Sequence, residues 1–279
     1  MLSHVKLTIL MENRVVNPNL IAEQGFSVFV ETPNGNILFD TGQTRAFLHN
    51  AQHLKIDLSQ TDKITLSHGH YDHTGGLPHF LQEVKPVEII CHPALTNKKY
   101  RVYPEGRMDI GVPWDKKEMQ SLGAKFIFKT HAFEIFPDIW ISGEISRNSE
   151  YEHIDETYQQ RVSESYIHDE IHDDMCLVIN TAHGLIVLLG CGHAGPINSI
   201  KHAMRLTKTK HIFAVMGGMH LYHAPEEKIK KIMFNLELLK PDFLIPLHCT
   251  GFRMINLMVT LFKKQVKLLN VGETFEMHI

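Results

Sequence analysis

Thr65-Leu-Ser-His68-Gly-His70-Tyr-Asp72-His73-Thr-Gly-Gly76 places four potential metal ligands within six residues, directly after the apolar run Lys63–Leu66. That run has the length and composition of a buried strand. Ligands at i, i+2, i+4 and i+5 do not share a face of a regular helix or strand, whose side-chain periods are 3.6 and 2. They can converge from a loop between a strand and a helix. Three imidazoles and a hard carboxylate suit zinc, iron or manganese. A chain with 20 histidines brings two together by chance easily. H-x-H-x-D-H at a strand end before Gly-Gly is a far rarer coincidence, so the segment reads as a metal loop and not as ordinary polar surface.

Further ligands must come from elsewhere, and three later strand ends offer them: Leu188-Leu-Gly-Cys-Gly-His193-Ala-Gly195, Met216-Gly-Gly-Met-His220-Leu221 and Ile245-Pro-Leu-His248-Cys-Thr-Gly251. Each follows an apolar run and is flanked by glycine, which is where an α/β sheet puts its site, at the carboxyl ends of strands. The expected ligand set is therefore His68, His70, Asp72, His73, His193 and His248, holding one or two divalent ions, zinc before iron or manganese. His220 is either a ligand or a substrate contact. The remaining histidines lack a partner pattern. Cys191 and Cys249 read as packing thiols, with a role beside the metal as the alternative.

Composition sets the frame. The chain has 279 residues, 43% apolar and 21% charged, which is globular composition. Its formal net charge of −3 argues against a general nucleic-acid binder. The four cysteines, Cys91, Cys176, Cys191 and Cys249, are scattered without a C-x-x-C pair, so no disulfide framework is expected. The apolar run of Met1–Glu12 is interrupted and too short for a signal-peptide core, and no stretch approaches the roughly 18 apolar residues that span a bilayer. The expectation is a cytoplasmic protein that does not enter a membrane.

The pattern predicts strands over Val5–Met11, Phe26–Glu31 and Ile37–Phe39, with Asn34-Gly35 as the hairpin turn, and another over Val87–Ile90. A helix begins with Thr74 as its cap and ends before Pro86. Residues 96 to 170 are mixed and polar and read as an insertion near the active site, containing strands near Lys125–Lys129 and Ile139–Ile141. Strands follow over Met175–Asn180, Leu185–Leu189, His211–Met216 and Phe243–Leu247, with helices over Ile197–Leu206, Pro225–Leu239 and Arg253–Lys264 and a last strand near Val266–Leu269. Alternating strands and helices in both halves predict α/β layers in one domain spanning residues 1–279.

The H-x-H-x-D-H segment, the upstream Ile37-Leu-Phe-Asp40-Thr-Gly42 and the later histidines after strands resemble the metallo-β-lactamase superfamily over nearly the whole chain. The resemblance implies an αββα sandwich with a one- or two-metal site at one edge of the paired sheets. It implies that His68 and His70 bind the first metal, that Asp72 and His73 belong to the second, that His248 completes the second, and that Asp40 is a structural acid beside them. Asp173-Asp174, Gly190-Cys-Gly-His193-Ala-Gly-Pro-Ile-Asn198, Gly217-Gly-Met-His220-Leu and Gly143-Glu-Ile-Ser-Arg147 are similar to the 7,8-dihydropterin-6-methyl-4-(β-D-ribofuranosyl)aminobenzene 5′-phosphate synthase-like subfamily. One feature departs from the superfamily. Its bridging aspartate follows a strand as Gly-Asp, whereas Leu185–Leu189 is followed by Gly190-Cys191 and no aspartate lies between His193 and Lys240. His193 could occupy the bridge region, with His172, Asp173 or Asp174 at the third motif.

The expected function is a metal-dependent enzyme acting on a small phosphorylated or ester substrate, either a hydrolase or a synthase-type transferase that releases pyrophosphate. Metals in such sites acidify water and neutralise charge that develops on phosphoryl or carbonyl oxygens. Asp72 would serve as ligand and proton acceptor, and His220 as acid or oxyanion donor. Arg107 and Arg147 would form a phosphate clamp if they are not simply solvated. The rival readings are a phosphodiesterase or nuclease, which needs a basic groove, and a metal-containing metabolite-binding module without turnover.

Overall fold

The computed structural model describes residues 1–278. The strands in chain order are β1 (His4–Met11), β2 (Ser27–Thr32), β3 (Gly35–Phe39), β4 (Lys63–Thr65), β5 (Val87–Cys91), β6 (Lys99–Tyr103), β7 (Gly106–Asp109), β8 (Ala124–Phe128), β9 (Phe133–Phe136), β10 (Ile139–Ile141), β11 (Tyr158–Val162), β12 (Ser165–His168), β13 (Cys176–Thr181), β14 (Gly184–Leu189), β15 (Ile212–Gly217), β16 (Phe243–Pro246) and β17 (Thr274–His278). The helices are α1 (Ala46–His53), α2 (Tyr71–Thr74), α3 (Leu77–Glu83), α4 (Lys116–Ser121), α5 (Pro196–Thr207), α6 (Glu226–Leu239) and α7 (Phe252–Phe262).

Two large sheets pack face to face. One runs β17-β1-β2-β3-β4-β5-β8, the other β16-β15-β14-β13-β10-β9. Strict alternation explains the layering. Val5, Leu7 and Ile9 of β1 meet Ile186 and Leu188 of β14, together with Met216, in the core between the sheets. The intervening residues Leu185, Val187 and Leu189 face outward against Ile197 and Ile200 of α5 and Ile232 and Leu236 of α6. On the other sheet Leu38, Ile64 and Ile89 face Phe47 of α1 and Phe80 of α3. Strands buried on both faces cannot show a polar–apolar alternation, and β14 reads as an unbroken apolar run for that reason. The result is the αββα sandwich that the family resemblance implied. Among the described residues, no helix is long and apolar enough to cross a membrane.

Several local expectations shift. The hairpin tip is Pro33-Asn34, because Thr32 pairs with Gly35, which opens β3 at φ 150°. Thr74 does not cap a helix. Its hydroxyl donates to the His70 carbonyl, closing the turn α2, and α3 starts only after Gly76. The strand expected at Val266–Leu269 is reduced to a single bridge from Val266 to Leu244, and the true last strand, β17, closes the first sheet against β1. The stretch from 96 to 170 is not one continuous insertion. β8 is an edge of the first sheet, and β9 and β10 are an edge of the second. Only the flanking pieces leave the sandwich, pairing as a third sheet, β12-β11-β6-β7.

That third sheet is tied down by a buried lysine. Lys99 is almost wholly enclosed, and its Nζ lies 2.7 Å from Asp173 and 3.3 Å from Asp169. Burial opposes its charge, but the two carboxylates outweigh burial and raise its pKa. The far oxygen of Asp173 accepts the Gly69 N–H at 2.7 Å, so the same cluster reaches the H-x-H-x-D-H loop. Lys99→Met strips two buried carboxylates of their cation, which is worth about 3–5 kcal/mol in comparable sites. Urea unfolding should show a loss of that order, and an unchanged midpoint would rule out the cluster as an anchor.

Candidate metal centre

β3, β4 and β5 run parallel, as do β14, β15 and β16. Their carboxyl ends bring Asp40, the 66–73 loop, Cys191, His193, His220 and His248 to one edge of the sandwich. Two close approaches make this possible. A Cβ at Gly69 would lie 1.9 Å from the Leu95 carbonyl oxygen, and one at Gly190 would lie 2.2 Å from the Ser67 hydroxyl. Gly69 lets the metal loop lie against the segment after β5, and Gly190 lets the end of the second sheet reach the first.

Asp40 organises the cluster. It is fully buried in a left-handed turn, φ 57°. Its Oδ1 accepts the Ser67 N–H at 2.7 Å, and its Oδ2 lies 2.7 Å from both the Ser67 hydroxyl and His73 Nδ1. A carboxylate only accepts, so His73 Nδ1 donates. Ser67 Oγ, whose proton goes to Asp40, accepts from His68 Nδ1 at 2.9 Å. His248 Nδ1 donates to Asn13 Oδ1 at 2.8 Å. These bonds fix the outer nitrogens of three rings and turn their Nε2 atoms toward the centre, as metal-ligating histidines require.

At the centre the donor atoms crowd together. His68 Nε2 is 2.9 Å from His70 Nδ1, and His73 Nε2 is 3.2 Å from His248 Nε2. Asp72 reaches His248 Nε2 at 3.5 Å and His73 Nε2 at 3.9 Å. The ligand atoms of His68, His70 and His193 lie within 4.8 Å of one another. Both ring nitrogens of buried His193, and Nε2 of His70, have no hydrogen-bond partner. Such orphaned groups are rare in folded proteins and costly unless something else binds them.

The electrostatics point the same way. Burial first, and then neighbouring imidazoles and Lys99, hold His68, His70 and His193 well below the usual imidazole range, so they are neutral and free to ligate. His73 behaves oppositely. Burial opposes its charge, but Asp72 and Asp40 outweigh burial and push it up to about 9. Without a cation, that corner of the site takes up a proton. The donor set therefore fits a divalent metal centre.

A cavity of about 750 Å³ opens over this floor. It is lined by Tyr71, Tyr103, Tyr158 and Tyr222, by Arg101 and Lys228, and by His220. His220, in a left-handed turn, has Nε2 3.1 Å from the Tyr158 hydroxyl and a buried Nδ1 without a partner. Burial pushes the Tyr158 phenol far up, so it stays protonated and holds the His220 ring through this hydrogen bond. Arg101 lies over the rings of Tyr103 and Tyr158, 5.2 Å from each centroid, with no carboxylate in salt-bridge contact among the described residues.

All six expected ligands and His220 thus come to one place. The arginines do not. Arg107 is exposed, stacked over Tyr166 and bonded to Gln159, and Arg147 pairs with Glu170 and the Ile171 carbonyl outside the cavity. Arg101, not singled out from sequence, holds the position expected of them. Of the residues considered for the third motif, His172 is exposed, while Asp173 and Asp174 brace the Gly69 and Ala194 amides.

A family model described as Metallo-beta-lactamase superfamily matches residues 20–156. An uncharacterised protein of Methanocaldococcus jannaschii is 32% identical over 252 residues, covering 90% of this chain and 92% of the relative. The crystal structure of a metal-dependent hydrolase of the β-lactamase superfamily superposes with a TM-score of 0.85 at 27% identity, covering 99% of this chain and all of the other. The chain belongs to the metallo-β-lactamase superfamily. The superfamily's fold implies divalent metal binding, in agreement with the donor cluster. A second superfamily relative, the 7,8-dihydropterin-6-methyl-4-(β-D-ribofuranosyl)-aminobenzene-5′-phosphate synthase of the same archaeon, is 29% identical over 266 residues, covering 90% of this chain and 89% of the relative.

Asp40→Ala removes the acceptor that orients His73 directly and His68 through Ser67. Loss of such a supporting bond typically weakens metal binding about 10–100-fold. Competition against a chromogenic chelator should show that drop. Wild-type affinity in the variant would mean that the rings are held by packing alone.

Proposed function

We propose that the chain is a metal-dependent enzyme acting on a small phosphorylated substrate, breaking a phosphoester or diphosphate linkage by hydrolysis or by synthase-type transfer with release of pyrophosphate. The observation that carries this reading is Arg101, which makes no salt bridge among the described residues and lies over two tyrosine rings in the cavity above the histidine cluster. Guanidinium matches phosphate oxygens in a two-pronged geometry. The cavity has the size of a metabolite site. Its tyrosines offer faces to a flat ring. The printed name of the synthase relative, a dihydropterin carrying a ribose phosphate, is consistent with such a ligand. Asp155 and Glu156 line the same cavity, which disfavours a polyanion such as nucleic acid.

In this reading His68, His70 and His193 hold one ion, and Asp72, His73 and His248 hold the other. Divalent ions there supply Lewis-acid neutralisation of charge developing on the reacting oxygens. The protein's own groups do the rest. Arg101 binds and orients the phosphate, and the third sheet walls the cavity from water. Asp72 accepts a proton from the attacking group. His220, positioned by its contact with the Tyr158 hydroxyl, gives a proton to the leaving group.

Elemental analysis of protein purified without chelators should find about two equivalents of divalent metal per chain, lost in the His68→Ala/His70→Ala variant. A panel of phosphomonoesters, phosphodiesters and diphosphate esters, including a dihydropterin diphosphate, should reveal turnover. Arg101→Met should raise KM for the accepted substrate about 10–100-fold with kcat little changed. Tight metabolite binding by fully metallated protein without turnover would instead identify a binding module.

A further inference from the structure

Where the superfamily resemblance leads one to expect Gly-Asp after a strand, this chain carries Gly190-Cys191. Cys191 directly follows β14 in the turn Gly190-Cys191-Gly192-His193, and it is buried. Its Sγ lies 3.4 Å from Nε2 of His73 and 3.4 Å from Nε2 of His248, which are themselves 3.2 Å apart. It also falls within 4.8 Å of the ligand atoms of His68 and, in a second grouping, of His193 and His220. One thiol therefore contacts two donors of the second proposed set and lies within 4.8 Å of donors of the first.

The neighbouring groups leave this sulfur little else to do. His73 and His248 have already committed Nδ1, to Asp40 and Asn13, so only their inward nitrogens face the thiol. Three atoms of metal-ligating type meet around one point, 3.2 to 3.4 Å from one another. Beside them His193 is buried with neither ring nitrogen bonded, an independent sign that this space holds a ligand-seeking centre. Cys249 is the nearest rival, but its Sγ already bonds the Cys191 carbonyl and the His220 N–H, each at 3.3 Å. No other acidic side chain is available from the β14 turn itself, which reads Gly-Cys-Gly-His-Ala-Gly.

We propose that Cys191 is a metal ligand shared between the two donor sets, a thiolate in the place of the superfamily's aspartate, and that it biases the centre toward zinc over manganese or magnesium. This rests on the two-set reading of the histidine cluster given above. When the sulfur–metal bond forms, the S–H bond breaks and its proton passes to solvent. The bias follows from softness: thiolate favours zinc, whereas carboxylate and water suit magnesium and manganese.

The test uses the full chain, stripped with chelator and titrated with cobalt(II). Wild-type protein should bind about two equivalents and show a near-ultraviolet sulfur-to-cobalt charge-transfer band. Cys191→Ser should lose the band while keeping the visible absorption of cobalt on the histidine sets. Cys249→Ser should keep both. Cys191→Asp, which restores the superfamily's oxygen ligand, should bind two equivalents without the band and shift zinc–manganese competition toward manganese. Iodoacetamide labelling of Cys191, read by mass spectrometry, should be blocked by zinc in the wild type, a readout that needs no variant to fold. A band that survives Cys191→Ser and vanishes in Cys249→Ser overturns the proposal in favour of Cys249. Two equivalents bound with no band overturns the thiolate bridge and leaves the two-set centre standing. No cobalt bound by folded protein overturns both.

Discussion

The buried carboxylate of Asp40 is the constraint on which the metal edge of this fold depends. An unpaired carboxylate inside a protein costs several kcal/mol. Asp40 is kept there by three donors at 2.7 Å, the Ser67 N–H, the Ser67 hydroxyl and His73 Nδ1. Each donor also sets the position of something else. The amide bond pins the end of β4, the hydroxyl relays to His68, and the ring bond aims His73 inward. The acid lies at the end of β3, so the register of one parallel pair, Phe39 beside Thr65, sets the spacing of half the ligands.

The other half comes from the second sheet, and the two halves meet only because the sheets pack closely at this edge. Gly190 lies against Ser67, and Gly218 lies against the Gly190 carbonyl and the Cys249 thiol. A side chain at Gly190 would part the sheets and move His193 from His68, and one at Gly218 would push apart the turns after β14, β15 and β16. The third sheet adds a different kind of constraint. It contributes no ligand, yet its buried Lys99 reaches the metal loop through Asp173, and its Tyr158 and Arg101 shape the cavity. The third sheet and the metal loop are therefore tied together through one ion cluster.

Much of this was legible in the chain. Local rules identified most of the core strands and helices, because alternation and apolar runs report burial directly. The metal loop was legible because six consecutive positions carry four ligands. What escaped was whatever depends on distant pairing. β17 was missed although Thr274–His278 alternates polar and apolar residues, because five residues are a short signal and they become a strand only by adding to β1. Thr74 has every mark of a helix cap, yet its hydroxyl is taken by the His70 carbonyl one turn earlier. Within the polar stretch from 96 to 170 the strands β8 and β10 were legible as strands, but β9 and the membership of all three in the main sheets were not, since sheet partners are distant in sequence.

The sequence by itself determined the fold class, the metal loop and the three histidines at later strand ends, because each is written in short-range pattern. Only the tertiary structure decided which residues share the site. Cys191, a packing thiol on local grounds, sits between His73 and His248. Arg101 rather than Arg107 or Arg147 faces the cavity, and Asn13 orients a ring 235 residues away. Local pattern encodes which face of an element is buried. Which faces meet depends on strand order and sheet packing, and those are set by the whole chain at once.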